Sequence, residues 1–159
     1  MKPKIRTMTS QDKPAIIQIL KAIPEFEPAE VVVAEEVVDS YLCDPSGSGY
    51  HVLVAEVVSS VVGYICYGPA PLTVGTWDIY WIAVAPVEQG KGTGKALMAS
   101  AEDNIRKARG RLVLIETSSK LEYEKTRRFH HSQGYEVVAQ ITDFYAPGDD
   151  LVVFGKFLK

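Results

Sequence analysis

Apolar residues along this chain change their spacing several times, and each change marks an element. Ile5-Arg6-Thr7-Met8 reads as a short strand. Thr9 with Asp12 three residues on forms a capping-box pattern, and Ile16, Ile17 and Leu20 then recur at helical spacing. Pro24 and Pro28 break that pattern, and a second helix is expected over residues 29–43, although Val31-Val32-Val33 has strand propensity. Asp44 to Gly49 has the composition of a loop. Residues 51–58 and 61–67 are β-rich, and Ser59-Ser60 between them predicts a hairpin. A strand rich in Trp, Tyr, Ile and Val is expected over 75–84, stopped by Pro86. Beyond a glycine-rich loop, Leu97, Met98, Ala101, Ile105 and Ala108 recur at helical spacing until Gly110. A short buried-type strand follows over 112–116, then a helix over 122–132 with Gly134 as its stop. Residues 135–141 and 151–157 complete a final antiparallel pair.

The resulting order is β-α-α-β-β-β-α-β-α-β-β, without internal repeats. Hairpins at both ends and βα crossovers between them predict a mixed sheet flanked by helices, in one α/β (α+β) domain spanning the 159 residues. No apolar run approaches the ~20 residues that span a bilayer. The first residues, MKPKIRTMTSQDK, lack the apolar core of an export signal, so a cytoplasmic protein without a membrane partner is expected. Cys43 and Cys66 match no metal-ligand spacing, which predicts reduced thiols and no structural metal.

The net charge of −3 conceals an asymmetry, because no lysine or arginine lies between Lys21 and Lys91. The acidic front suits a cationic partner and the basic stretch from Lys91 to Arg128 an anionic one, unless both are simply solvated faces. Without a basic patch interleaved with aromatics, nucleic-acid binding is disfavoured.

The loop Gln89-Gly-Lys-Gly-Thr-Gly-Lys95 decides what that anion is. A P-loop would need glycine where Gln89 stands and a hydroxyl where Ala96 stands. A dinucleotide fingerprint fits Gly90 and Gly92 but meets Lys95 at its last glycine. The remaining pattern, Gln/Arg-x-x-Gly-x-Gly/Ala between strand and helix, fits Gln89 to Gly94. Backbone N–H groups unobstructed by Cβ atoms converge at such a helix N-terminus and can wrap a pyrophosphate, with Lys91 and Lys95 alongside. A glycine-rich turn without a ligand is the alternative.

With Ile82-Ala-Val-Ala-Pro86, this loop, Phe129-His-His-Ser-Gln-Gly-Tyr135 and Asp143-Phe-Tyr-Ala-Pro-Gly-Asp-Asp150, the chain resembles the GNAT N-acetyltransferase superfamily over nearly its whole length. The resemblance implies the GNAT fold, with a mostly antiparallel central sheet of about six to seven strands and about four helices. It also implies acetyl-CoA as acyl donor, bound where the fourth and fifth strands splay apart, and direct acetyl transfer to a primary amine on a small molecule or peptide. By position, the Ile82-Ala83-Val84 backbone would hold the pantetheine arm, and Gln89, Gly90, Lys91, Gly92, Thr93, Gly94 and Lys95 the pyrophosphate. Tyr123, Thr126 and Phe129 would line the CoA side, and Tyr80 and Tyr145 the acceptor side. A homodimer is a further family-level expectation.

Amine transfer needs a base. An ammonium of pKa ~10.4 lies about 3.4 units from its neutral form at pH 7, or ~4.6 kcal/mol. Asp78, inside Trp77-Asp-Ile-Tyr80, is the first candidate and Glu116 the second; either could instead be a carboxylate at a solvated strand end. The family commonly places a Tyr four residues before the helix-ending glycine, where this chain has His130. His130 could donate a proton to the leaving thiolate, or sit idle at a helix end, with Tyr123 and Tyr145 as the other donors. The departure keeps open a sensor that binds acyl-CoA without turnover.

Overall fold

All seven strands expected from the alternation are present in the computed structural model, which describes residues 2–159. The chain runs β1 (Lys4–Thr7), α1 (Lys13–Ala22), α2 (Pro28–Cys43), β2 (His51–Val57), β3 (Ser60–Pro69), β4 (Thr76–Val84) and α3 (Thr93–Lys107). It continues with β5 (Leu112–Ser118), α4 (Glu124–Ser132), β6 (Glu136–Ala146) and β7 (Asp149–Phe157). Short 3-10 turns at Ser10–Asp12, Pro86–Glu88 and Leu121–Tyr123 precede α1, the glycine loop and α4. The strands lie in the order β1-β2-β3-β4-β5-β7-β6, antiparallel except for β4 beside β5.

Two cores sandwich the sheet. On one face, Ile16 and Leu20 of α1 and Val31, Ala34 and Val38 of α2 cover Val52, Val54, Tyr64 and Cys66. On the other, Leu97, Met98, Ala101 and Ile105 of α3 cover Leu53, Ile65, Trp77, Ile79, Val113 and Ile115. The Thr9–Asp12 capping box forms, and Arg6 grips the Asp12 carboxylate at 2.8 Å. Pro28 opens α2 rather than breaking it. A proline at the first helical position surrenders no intrahelical N–H, and Glu27 with Glu30 closes a second capping box there. With that start fixed, the Val31–Val33 run is helical: Val31 is buried, and Val32 and Val33 face solvent.

The segment after residue 141, expected as loop, is hairpin. β6 continues to Ala146 through an irregularity at Asp143, whose φ is +54°. Carboxylates brace this irregular stretch: Asp150 accepts the Asp143 N–H at 2.9 Å, and Asp143 accepts the Gly148 N–H at 2.9 Å. No helix among the described residues is long and apolar enough to cross a membrane.

Candidate functional site

The sheet opens at its centre. β4 and β5 pair only from Thr76 opposite Leu112 to Ile79 opposite Ile115. Past that point β4 stays with β3, and Glu116 to Ser118 of β5 stay with β7. Tyr80 is an extra residue in the β3 ladder, a bulge that turns β4 as it leaves β5.

Hydrogen-bond alternation decides which backbone groups line this gap. Ala85 N–H donates to the Val62 carbonyl at 2.8 Å, so Val62 and Ala85 are a hydrogen-bonded pair. Alternation along the antiparallel register makes Tyr64–Ala83 another such pair and leaves Gly63–Val84 and Ile65–Ile82 non-bonded. The backbone groups of Ile82 and Val84 therefore turn away from β3, towards the gap. Ala83, grouped with them on sequence, is corrected by the same geometry: its N–H and C=O face Tyr64, and its side chain lies in the α1–α2 core.

The glycine loop stands beside the end of β4. Gly90 and Gly92 have φ of +77° and +88°, and a Cβ on either would meet nothing within 4 Å. Both therefore line open space in a conformation that other residues enter at a penalty. Gly92 caps α3, so the N–H groups of Thr93, Gly94 and Lys95 are first-turn donors without helical partners. Gly94 serves differently, since its missing Cβ would lie 3.0 Å from the Phe129 ring of α4. Thr93 is buried, and Lys91 and Lys95 project into solvent. Gln89 points inward: its amide N–H donates to the Val84 carbonyl at 3.0 Å, and its amide oxygen accepts from Lys125 Nζ at 2.9 Å.

On the α1–α2 side of the sheet, Asp78 is opposite Leu114, and Glu116 lies two residues further along β5 on the same face. Burial first, and then the Glu116 charge, hold the Asp78 carboxyl above its usual range. Tyr80, 41% exposed, meets Tyr50 edge-on at 5.5 Å. Tyr145 is half-exposed on the β6–β7 hairpin, and burial, Glu116, Asp149 and Glu30 all raise its hydroxyl pKa. These groups converge on one face.

Of two expected proton donors, one is enclosed in the core and the other is already engaged. His130 is only 2% exposed, enclosed by the rings of Phe129 and Phe154 at 5.8 and 5.5 Å, and its Nδ1 has no partner among the described residues. Burial lowers its pKa to about 4, so it is a neutral core imidazole rather than a helix-end residue open to the gap. Tyr123 donates its hydroxyl to the Glu25 carbonyl at 2.9 Å, with the Glu30 carboxylate 3.3 Å away. Burial and then those acidic neighbours raise its pKa. Thr126 is partly buried on α4. The links from Glu30 to Tyr123 and from Lys125 to Gln89 escaped the sequence reading. Each joins residues far apart in the chain, and only the α1–α2 acidity hinted at the first.

Residues 48–137 match the acetyltransferase (GNAT) domain family. The L-methionine sulfoximine/L-methionine sulfone acetyltransferase of Salmonella typhimurium is 33% identical over 95 residues, covering 58% of this chain and 54% of that protein. The matched segment thus spans about half the length of that relative. A crystal structure from Desulfovibrio desulfuricans, assigned to the GNAT acetyltransferases, superposes with a TM-score of 0.94 at 38% identity, covering 98% of both chains. The PaiA N-acetyltransferase of Thermoplasma acidophilum, solved with coenzyme A, shares the fold at a TM-score of 0.78 and 16% identity, covering 99% of this chain and 100% of that one.

Proposed function

Because this chain belongs to the GNAT acetyltransferase family, we propose that it is an N-acetyltransferase that moves an acetyl group from acetyl-CoA to a primary amine within a ternary complex. One observation carries the reading: the gap between β4 and β5, faced by the backbone groups of Ile82 and Val84, ends at a glycine loop whose open side a Cβ would fill. That arrangement suits a long polar arm ending in phosphates. Structures of the same fold are described with coenzyme A or acetyl-CoA bound.

The donor supplies an acetyl thioester. The ammonium first gives one proton to a base. The neutral amine nitrogen then bonds to the acetyl carbon as the carbon–sulfur bond breaks, the pair of electrons leaves on sulfur, and the second proton lost from nitrogen ends on the thiolate. Asp78 is that base, directly or through a water, because its raised pKa brings it closer to neutrality than an ordinary carboxylate. Ile82 and Val84 orient the donor through backbone groups. The N–H groups at the start of α3, aided by Lys91 and Lys95, take the pyrophosphate charge. Glu116, Tyr80 and Tyr145 form the acceptor side, and the lysine-free segment before Lys91 favours a cationic acceptor.

A second reading, an acyl-CoA sensor, draws support from the enclosure of His130 and the engagement of the Tyr123 hydroxyl, which leave neither free to protonate a thiolate. Thiol release from acetyl-CoA across a panel of primary amines, run beside a melting curve with acetyl-CoA, separates the two. Turnover on any amine supports the enzyme. A thermal shift without turnover favours the sensor, and no shift sinks both.

A further inference from the structure

The side chain of Gln89 does not enter the loop it begins. It spans the carbonyl of Val84, at the gap-lining end of β4, and the ammonium of Lys125, one residue into α4. A cation from α4 is thereby fixed beside a loop built on α3. Lys125 has no carboxylate within ion-pair distance among the described residues, whereas Lys91 lies 3.7 Å from Glu88 and Arg128 pairs with Glu124 at 2.7 Å. A neutral amide satisfies one of its three N–H donors and none of its charge. An exposed bond of this kind contributes little stability by itself, so stability does not account for where the charge is held.

Next to Gln89, Gly90 and Gly92 leave open space, and the unpartnered N–H groups of α3 face an anion arriving there. We infer that Lys125 is a phosphate-binding residue, which reaches across from α4 to the pyrophosphate held on the glycine loop and is pre-positioned for it by Gln89. The inference rests on the donor being a CoA thioester. It makes the phosphate site a clamp between two helices rather than a single helix N-terminus. Its two sides are α3 backbone and α4 charge, and Phe129 packed against Gly94 keeps them in register.

The test is calorimetric titration of acetyl-CoA and of S-acetyl-3′-dephospho-CoA into the wild-type protein and into Lys125→Met, Lys125→Gln and Lys125→Arg. Both ligands carry the pyrophosphate, and only the first carries the 3′-phosphate. Glutamine keeps an N–H donor, one bond shorter, but lacks the charge. Loss of one charge-assisted phosphate contact predicts about ten-fold weaker binding of both ligands to the Met and Gln variants. It also predicts near wild-type binding to Arg and a shallower salt dependence wherever the charge is gone. Wild-type affinity in Lys125→Gln would overturn the inference, because the charge at this position would then contribute nothing to donor binding. A loss confined to acetyl-CoA would overturn it too, by moving the charge to the 3′-phosphate. If the wild-type protein binds neither ligand, the failure belongs to the proposed donor instead.

Discussion

Asp78 stands where β4 is about to leave β5, half-buried, with Glu116 close enough to oppose its ionisation. A raised pKa means that its basic form is lost at a higher pH than for an ordinary carboxylate, so the acid limb of kcat should lie above the usual carboxylate range. Asp78→Asn should lower kcat by ~100-fold or more, with little change in KM for acetyl-CoA, since general-base catalysis contributes at least that much. Glu116→Gln should keep most of the rate and move the acid limb downward, because one of the two causes raising Asp78 is gone. A full-rate Asp78→Asn enzyme would remove Asp78 from the chemistry. His130 makes a stability prediction instead. Its pKa is about 4 in the folded chain against 6.5 for a free imidazole, so the unfolded chain binds the extra proton between those values. The stability it confers is therefore complete above pH ~6.5 and is lost as pH falls towards 4, by roughly 3 kcal/mol. Melting temperatures between pH 7 and 4.5 should show that decline, and His130→Phe should flatten it. An identical pH profile in the variant would contradict the neutral core histidine.

Within the elements, the loop between β4 and α3 separates two uses of glycine. Gly92 needs its conformation, at φ +88°, but has room for a side chain. Gly94 has ordinary backbone geometry but no room, with the Phe129 ring 3.0 Å from where a Cβ would sit. Gly92→Ala should therefore destabilise by about 1–2 kcal/mol through backbone strain and also weaken donor binding. Gly94→Val should push α4 from α3 and lower both the melting temperature and the affinity. The contact with Phe129 makes a bulky residue at Gly94 a cost to the fold as well as to donor binding. Calorimetry with acetyl-CoA beside melting curves of both variants checks the pair; a Gly94→Val protein of wild-type stability would mean that Phe129 yields freely. Periodicity made the strands and α3 legible, and residue identity excluded the two other nucleotide loops. What periodicity could not reach was polar and long-range. Carboxylates at Asp143 and Asp150 extend β6 where the sequence reads as turn, and helical spacing did not show that His130 falls on the buried face of α4. The Tyr123–Glu30 contact joins residues 93 positions apart.

Across the whole molecule, the sheet is two ladders joined by a short seam. β1 to β4 form one and β5 to β7 the other, and among the described residues their strands pair through Thr76–Ile79 against Leu112–Ile115. Elsewhere α3 lies across the seam on one face, the Tyr123 hydroxyl reaches the α1–α2 segment, and Lys125 reaches Gln89. A ligand lying in the gap between β4 and β5 would touch both ladders and bind only when they are correctly juxtaposed. Such a ligand stabilises the folded chain by mass action, by ~2.7 kcal/mol at one hundred times its Kd. For a chain of this size each kcal/mol corresponds to ~2–4 °C, so saturating acetyl-CoA should raise the melting temperature by about 5–10 °C in a single transition. Acetyl-pantetheine, which lacks the phosphates, should give a much smaller shift at the same concentration, because the loop and Lys125 are then left unfilled. Equal shifts from the two would mean that the glycine loop contributes nothing to donor binding. Two separate transitions, of which acetyl-CoA moves only one, would mean that the ligand does not couple the two halves of the sheet.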